Sequence, residues 1–405
     1  MSRRAPFDVA VVGAGVVGAC AALACAREGL QVVMIEARAP MPWRVDHPDL
    51  RVFALAQDGV DLLAELGVWD AIAAHAQPYR TMRVWDAGGG GELRFDASRH
   101  GRAALGWIAE QGLLADRLWT ALQQAGVTLR CPQRVLTIDD APDATAEGAP
   151  AADVRNHAVT LRLDDQSAVR ARLLIAADGV DSNVRTLAGI DVARHDYGQR
   201  GLVAFVQCTQ PHDDTAWQRF LPTGPVAFLP FRDGRCSIVW TLPDAEAQRL
   251  LDCDEASFCR ELARAFDATL GEIVAVSARA AFPLRRQLAE RFVSGRVLLC
   301  GDAAHAVHPL AGQGLNVGLR DVIALRAMLR SVRAGGGDMA SPSRLARWQR
   351  ERRSHSAVAA WTFDGINRLF SNDAPLPTLA RGHLLGLAGR IPGLDALLWK
   401  RAAGL

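Results

Sequence analysis

FDVAVVGAGVVGACAALACAREGLQVVMIEAR (residues 7–38) decides the fold. Its first six residues, apolar except for Asp8, read as a buried strand. GAGVVG then sets Gly13, Gly15 and Gly18 at G-x-G-x-x-G spacing, the small residues that follow read as a helix packed closely on a sheet, and QVVMIEAR reads as a second strand ending in Glu36. Glycines in this pattern let the backbone turn tightly and approach a pyrophosphate. The helix N-terminus offers free N–H groups to the anion, and the acid accepts from a ribose hydroxyl. A glycine triplet alone also serves simple helix–sheet packing; the strand before, the helix after and the acid beyond select a dinucleotide site.

A chain of 405 residues that is 50% hydrophobic can bury a large core and is expected to form two closely joined domains in a soluble globular protein. The net charge is only +2, and because Lys400 is the sole lysine, nearly all positive charge is arginine. A single arginine is therefore weak evidence of function, and no basic stripe argues for nucleic acid. Eight cysteines, without a C-x-x-C pair or zinc-finger histidine spacing, read as reduced, mostly buried thiols of a cytoplasmic protein. Residues 1–29 resemble a signal peptide superficially. Asp8 interrupts the apolar run, and Arg27 and Glu28 end it short of the roughly 20 residues a membrane helix needs.

Beyond Arg38 the alternation of an NAD dehydrogenase does not continue. A helix is expected around residues 54–66, followed by strand-like YRTMRVWDA (79–87), a GGGG turn (88–91) and ELRFDA (92–97). GWIAEQGLLADRLWTALQQAG (106–126) resumes helical periodicity, with Leu114, Leu118 and Leu122 on one face. DDAPDATAEGAPAAD (139–153) reads as a surface loop, and strands resume near 157–163 and 171–176. AADGVDSNVR (176–185) places Asp178 and Gly179 after a strand, where such a pair is most often only a turn. RGLVAFVQC (200–208), AWQRFLP (216–222), PVAFLPF (225–231) and RCSIVWTL (235–242) are β-like, DEASFCRELARAF (254–266) is an amphipathic helix, and VSARAAFPL (276–284) is another strand. Strand GRVLLC (295–300) leads into GDAAHAVHPLAGQGLNVGLRD (301–321), with a helix continuing through 318–332. Gly301 and Asp302 thus end a strand at the edge where open α/β sheets bind ligands.

G-x-G-x-x-G with Glu36, ADGVDSNVR (177–185) and the 301–321 motif together resemble the three fingerprints of single-component FAD-dependent aromatic hydroxylases of the p-hydroxybenzoate hydroxylase type. DLRVFAL (49–55), LAELGVWD (63–70), PLAGQGLNVGLRDV (309–322) and LLWKRAAGL (397–405) are similar, more narrowly, to the ubiquinone-biosynthesis hydroxylases. Gln111 stands where these more often carry Asn. The resemblance implies an α/β chain: a discontinuous Rossmann-like FAD-binding domain (1–75, 101–186 and 284–345), an inserted β-sheet substrate domain (76–100 and 187–283) and a helical C-terminal region (346–405).

It also implies that Gly13, Ala14, Gly15, Val17 and Gly18 hold the FAD pyrophosphate, with Glu36, Ala37 and Arg38 toward the adenosine ribose and adjoining phosphates. Arg51 and Gln111 would lie along the ribityl side, Asp178, Gly179 and Asp302 beside the cofactor, and Pro309, Gly312, Gln313, Gly314, Leu315 and Asn316 under the isoalloxazine. A helix N-terminus there suits the anionic reduced flavin. His305 is expected to make a structural hydrogen bond. His308 would fall on the substrate side as the candidate catalytic contact; a metal site from the two histidines lacks a third ligand nearby. The implied chemistry is reduction of FAD by NADPH or NADH, bound transiently near Asp178 and Arg185, addition of O₂ at flavin C4a, and transfer of the terminal hydroperoxide oxygen to the ring of a prenylated phenol. An epoxidase or small-phenol hydroxylase on the same fold, and a non-catalytic FAD-containing lipid-binding subunit, stay open as alternatives. So do a homo-oligomer and contact with other ubiquinone-biosynthesis proteins. LPTLARGHLLGLAGRIPGLDALLWKRAAGL (376–405) mixes leucines with basic residues and reads as a peripheral inner-membrane contact, as packing against the FAD domain or as a subunit interface.

Overall fold

The computed structural model describes residues 5–88, 91–140, 158–306 and 314–370. Strands Val297–Leu299, Ala168–Ala176, Phe7–Val12, Val32–Ile35 and Thr128–Arg130 lie side by side in that order, parallel throughout. Strands Val159–Leu163, Val135–Asp139 and Val293–Ser294 extend this sheet in antiparallel fashion. The central strands are apolar runs because helices cover the sheet and leave neither face wet; Val9, Val11, Val33, Met34, Leu173 and Ile175 are wholly buried. Helix Val16–Arg27 buries every residue from Gly18 to Cys25, which only small side chains permit so close to a sheet. Burial pushes the Cys20 and Cys25 thiols up to about 12, so both stay protonated, and all eight cysteines are free.

The second sheet runs His305–Ala306, Ala280–Ala289, Val192–Cys208, Cys236–Pro243, Val226–Pro230, Thr215–Phe220, Thr81–Asp86 and Glu92–Asp96, with Ile273–Val276 also on Val192–Cys208. Helices Asp244–Asp252 and Glu255–Ala265 contribute Ala247, Leu250, Phe258 and Leu262 to its core, where Phe228 and Phe266 stack at 3.8 Å. A small third sheet pairs Gly106–Glu110 with Val52–Leu55 and Gln77–Tyr79.

The structure differs from the sequence reading at residues 54–55 and 106–110 for one reason. Ala54 and Leu55 belong to a strand, the helix running Gln57–Glu65, and residues 106–110 are also a strand, with the helix beginning at Gln111. Each segment pairs with the other, Ala54 opposite Ile108 and Leu55 opposite Trp107, a long-range contact that helical periodicity in either segment cannot reveal. The 200–208 strand is longer than expected, spanning Val192–Cys208. The last helix described is Pro342–Phe370; the stretches 141–157 and 376–405 lie outside the described residues. No helix among the described residues is long and apolar enough to cross a membrane.

Two glycines of the first loop are required by the fold itself. Gly13 has φ +97°, and a Cβ there would stand 2.4 Å from the Ala177 carbonyl oxygen; at Gly18 it would stand 1.9 Å from the Gly13 carbonyl oxygen. A Cβ on Gly15 meets nothing within 4 Å. Gly18→Ala is therefore expected to lower the thermal midpoint of the FAD-free chain, by about 1–3 kcal/mol of stability, while Gly15→Ala leaves it nearly unchanged. Equal midpoints for the two variants in a melting series would refute this assignment.

Candidate flavin site

Parallel pairing brings four strand ends to one edge of the sheet. Gly13 follows Phe7–Val12, Glu36 follows Val32–Ile35, Asp178 lies just past Ala168–Ala176, and Gly301 and Asp302 lie just past Val297–Leu299. Gly15 precedes helix Val16–Arg27 in an extended conformation, with no side-chain cap and no acid in the first turn. An uncapped helix end facing open space over a residue without a side chain fits a diphosphate. Ala14 is buried, and its N–H donates to Glu36 Oε2 (2.5 Å); the N–H of Arg38 donates to Glu36 Oε1 (2.9 Å). The carboxylate is thereby held against the glycine loop with lone pairs left for hydroxyl groups. Ala37 is half-buried beside it and Arg38 is exposed. The Val17 side chain packs between two glycines: a Cβ would lie 3.2 Å from its methyls at Gly301 and 2.7 Å at Gly318.

Asp178 and Gly179 form a turn that is itself supported. Asp178 accepts from the Ser182 hydroxyl and from the Val184 N–H (3.0 Å), and Gly179 has φ +86°. The expectation that a nicotinamide rests near Arg185 needs correction for that residue. Arg185 is 2% exposed and donates to the carbonyls of Ala303 and Val180, both at 3.0 Å. Its guanidinium ties the Asp178 turn to the Asp302 turn and is not presented to a nucleotide.

Arg51 and Gln111 are brought together as expected from the resemblance. Arg51 Nη1 donates to Gln111 Oε1 (3.2 Å), and the Gln111 N–H donates to the Arg51 carbonyl (2.9 Å). Asp302 is exposed, yet desolvation by the surrounding protein pushes its pKa up, against the opposing pull of His305 and Arg51. Gly314, Leu315 and Asn316 open helix Gly314–Gly335, whose first N–H groups lack intrahelical acceptors. The Asn316 side chain is itself committed elsewhere: Oδ1 accepts from the Ala56 N–H (2.9 Å) and Nδ2 donates to the Ala54 carbonyl (2.8 Å). His308, Pro309, Gly312 and Gln313 lie outside the described residues.

His305 does make a structural hydrogen bond, and its partner is a residue the sequence reading did not single out. Asp321, wholly buried, accepts from His305 Nε2 (2.7 Å), the Gly301 N–H (2.9 Å) and Arg352 Nε (2.7 Å). Burial alone would raise its pKa; His305 and Arg352 outweigh that and lower it. The signal was present, since Leu345, Trp348, Arg352 and Ser356 form a buried stripe at helical spacing, so Arg352 stands on the apolar face of its helix. Glu110, wholly buried and paired with Arg232, was also missed.

The model of the FAD binding domain family matches residues 6–361. The chain belongs to this family. It is 36% identical to Escherichia coli 3-demethoxyubiquinol 3-hydroxylase over 403 residues, covering 99% of each chain. It is 35% identical to the ubiquinone hydroxylase UbiL of Rhodospirillum rubrum over 398 residues, covering 98% of this chain and 89% of the relative. Among solved structures it resembles p-nitrophenol 4-monooxygenase PnpA of Pseudomonas putida, with a TM-score of 0.78 at 21% identity over 99% of both chains, a likeness of fold. The protein is an FAD-dependent hydroxylase of the flavoprotein monooxygenase type.

Two outcomes test the site. Gly15→Val should abolish FAD retention through gel filtration, because its methyls would fill the space over the helix end; full occupancy would refute the loop's placement. Asp302→Asn should weaken FAD binding and also stabilise the FAD-free chain at pH 7. A carboxyl whose folded pKa is raised contributes its full stability below the ordinary Asp value of about 3.9 and loses it as pH rises through the folded value. The gain over the parent should therefore shrink toward pH 4 in paired melting curves, and a variant less stable than the parent at pH 7 would contradict the assignment.

Proposed function

We propose that the protein hydroxylates the aromatic ring of a polyprenylated phenol in ubiquinone biosynthesis, with FAD as bound cofactor, NADPH or NADH as transient reductant and O₂ as the oxygen source. The observation that carries the reading is the end-to-end likeness to ubiquinone hydroxylases in a chain whose glycine loop, Glu36, Asp302 and Gly314 helix all belong to one sheet edge and its loops. FAD, when bound, supplies the two-electron chemistry that activates O₂ for transfer to the ring.

The chain's own residues supply the holding. The N–H groups around Gly13, Ala14, Gly15, Val17 and Gly18 receive the diphosphate, and Glu36, with Ala37 and Arg38, takes the adenosine end. Arg51 and Gln111 flank the ribityl chain, with Asp302, Asp178 and Gly179 beside it. Gly314, Leu315 and Asn316, at the start of their helix, offer backbone N–H groups to the pyrimidine edge of the flavin, where a helix N-terminus stabilises negative charge, and Pro309, Gly312 and Gln313 are read as further flavin contacts. His308, next to Pro309 on the substrate side, contacts or protonates the phenol. The large sheet, from 76–100 and 187–283, covers the ring face and keeps water from it. The 376–405 tail collects lipid substrate at the inner-membrane surface.

The purified protein, given a prenylated phenol, NADPH and isotopically labelled O₂, is expected to yield a product carrying one labelled oxygen by mass spectrometry, with NADPH consumed in step. NADPH oxidation that yields only hydrogen peroxide with every prenylated phenol supplied would overturn the reading.

A further inference from the structure

One buried ion pair joins the large sheet to the segment that carries Arg51. Glu110 ends strand Gly106–Glu110 and is wholly excluded from solvent; Arg232 lies in the turn after strand Val226–Pro230. Arg232 Nη1 donates to Glu110 Oε1, and Nη2 donates to the Val45 carbonyl (3.4 Å). The guanidinium also lies over the rings of Phe231 (4.5 Å) and Trp43 (5.5 Å). On its other side Glu110 Oε2 accepts the Asp49 N–H (2.7 Å). The Asp49 carboxylate in turn accepts from the N–H of Arg51 (2.9 Å) and of Gly112 (3.2 Å), the residues adjoining the Arg51–Gln111 side-chain bond.

This chain of contacts has a job because residues 36–51 contain no helix or strand. Beyond backbone bonds at their two ends, from the Glu36 N–H to the Arg130 carbonyl and from the Gln111 N–H to the Arg51 carbonyl, they are held by side-chain contacts: Arg232 meets Trp43 and Val45 directly and Asp49 through Glu110, and Trp43 also lies against His75 and Arg117. A buried carboxylate must keep its donors, so the position of Arg232 constrains where Glu110 points and thereby the Asp49 N–H it holds. A lysine would keep the charge but lacks the planar fork that bonds Glu110 while stacking on two rings.

We propose that Arg232 is a positioning residue for the flavin: from the large sheet, through Glu110 and Asp49, it sets the placement of Arg51 and Gln111 against the cofactor. The proposal rests on the reading of Arg51 and Gln111 as flavin contacts. It makes the registration of the two sheets a determinant of cofactor binding, with Arg232 acting through Glu110 and Asp49.

The test compares Arg232→Met, Arg232→Lys, Glu110→Gln, the Arg232→Met/Glu110→Gln double variant and Arg51→Ala, each stripped of FAD. The readouts are the thermal midpoint, the FAD dissociation constant from fluorescence quenching and the visible flavin spectrum. Arg232→Met is expected to weaken FAD binding about tenfold or more and to lower the midpoint, since Glu110 is left charged and unpaired. Arg232→Lys should restore most of the midpoint but less than half of the lost binding energy. The double variant, with neither charge, should recover the midpoint yet still bind FAD weakly with an altered spectrum. Recovery of both midpoint and FAD affinity in the double variant would make the pair merely structural and overturn the proposal. Parental FAD affinity in Arg232→Met, with Arg51→Ala impaired, would overturn it while sparing the Arg51 reading. Unchanged affinity in Arg51→Ala would overturn that reading, and the proposal with it.

Discussion

At the carboxyl edge of the parallel sheet, backbone meets backbone with no room for side chains. Gly13 turns at positive φ against Ala177, and Gly18 lies under the Gly13 carbonyl. That close approach seats the Val16–Arg27 helix on the sheet and points its N-terminus outward at Gly15. Everything else at the edge is arranged around it. Glu36 holds the N–H of Ala14, Val17 fills the gap left by Gly301 and Gly318, and the Asp178 and Asp302 turns flank the loop on neighbouring strands.

Polar groups hold these loops in register more than they face a ligand. Asp321 gathers the Gly301 N–H, His305 and Arg352 in a fully buried cluster, Arg185 links the Asp178 and Asp302 turns, and Asn316 fastens the Gly314 helix to the end of the Val52–Leu55 strand. Such clusters gain little over an apolar core in net stability, but removing one member costs about 3–5 kcal/mol because the rest are left unpaired. They therefore fix loop geometry strictly. Asp302 is the contrast: it is exposed, and desolvation by the surrounding protein holds it above the usual carboxylate range.

The glycine loop, the strand before Glu36 and the strand end at Gly301 and Asp302 were legible because local spacing and apolar runs mark them. The resemblance supplied FAD and the hydroxylase class, which spacing alone did not. What escaped was set by long-range pairing. Ala54 and Leu55, read as helix, are a strand because Ile108 and Trp107 lie opposite. Arg185 was read as lying beside a transiently bound nicotinamide, but its partners, Ala303 and Val180, include one more than a hundred residues away. Glu110 and Arg232 are ordinary charged residues in an arginine-rich sequence, and only their meeting across two sheets distinguishes them.

A crystal structure of the protein with FAD bound measures the central claim directly. The account predicts the diphosphate at hydrogen-bond distance from the N–H groups that follow Gly15, the adenosine ribose at Glu36 and the flavin's pyrimidine edge at the start of the Gly314–Gly335 helix. A diphosphate bound away from Gly15, with the N-terminus of the Val16–Arg27 helix left to solvent, would contradict it.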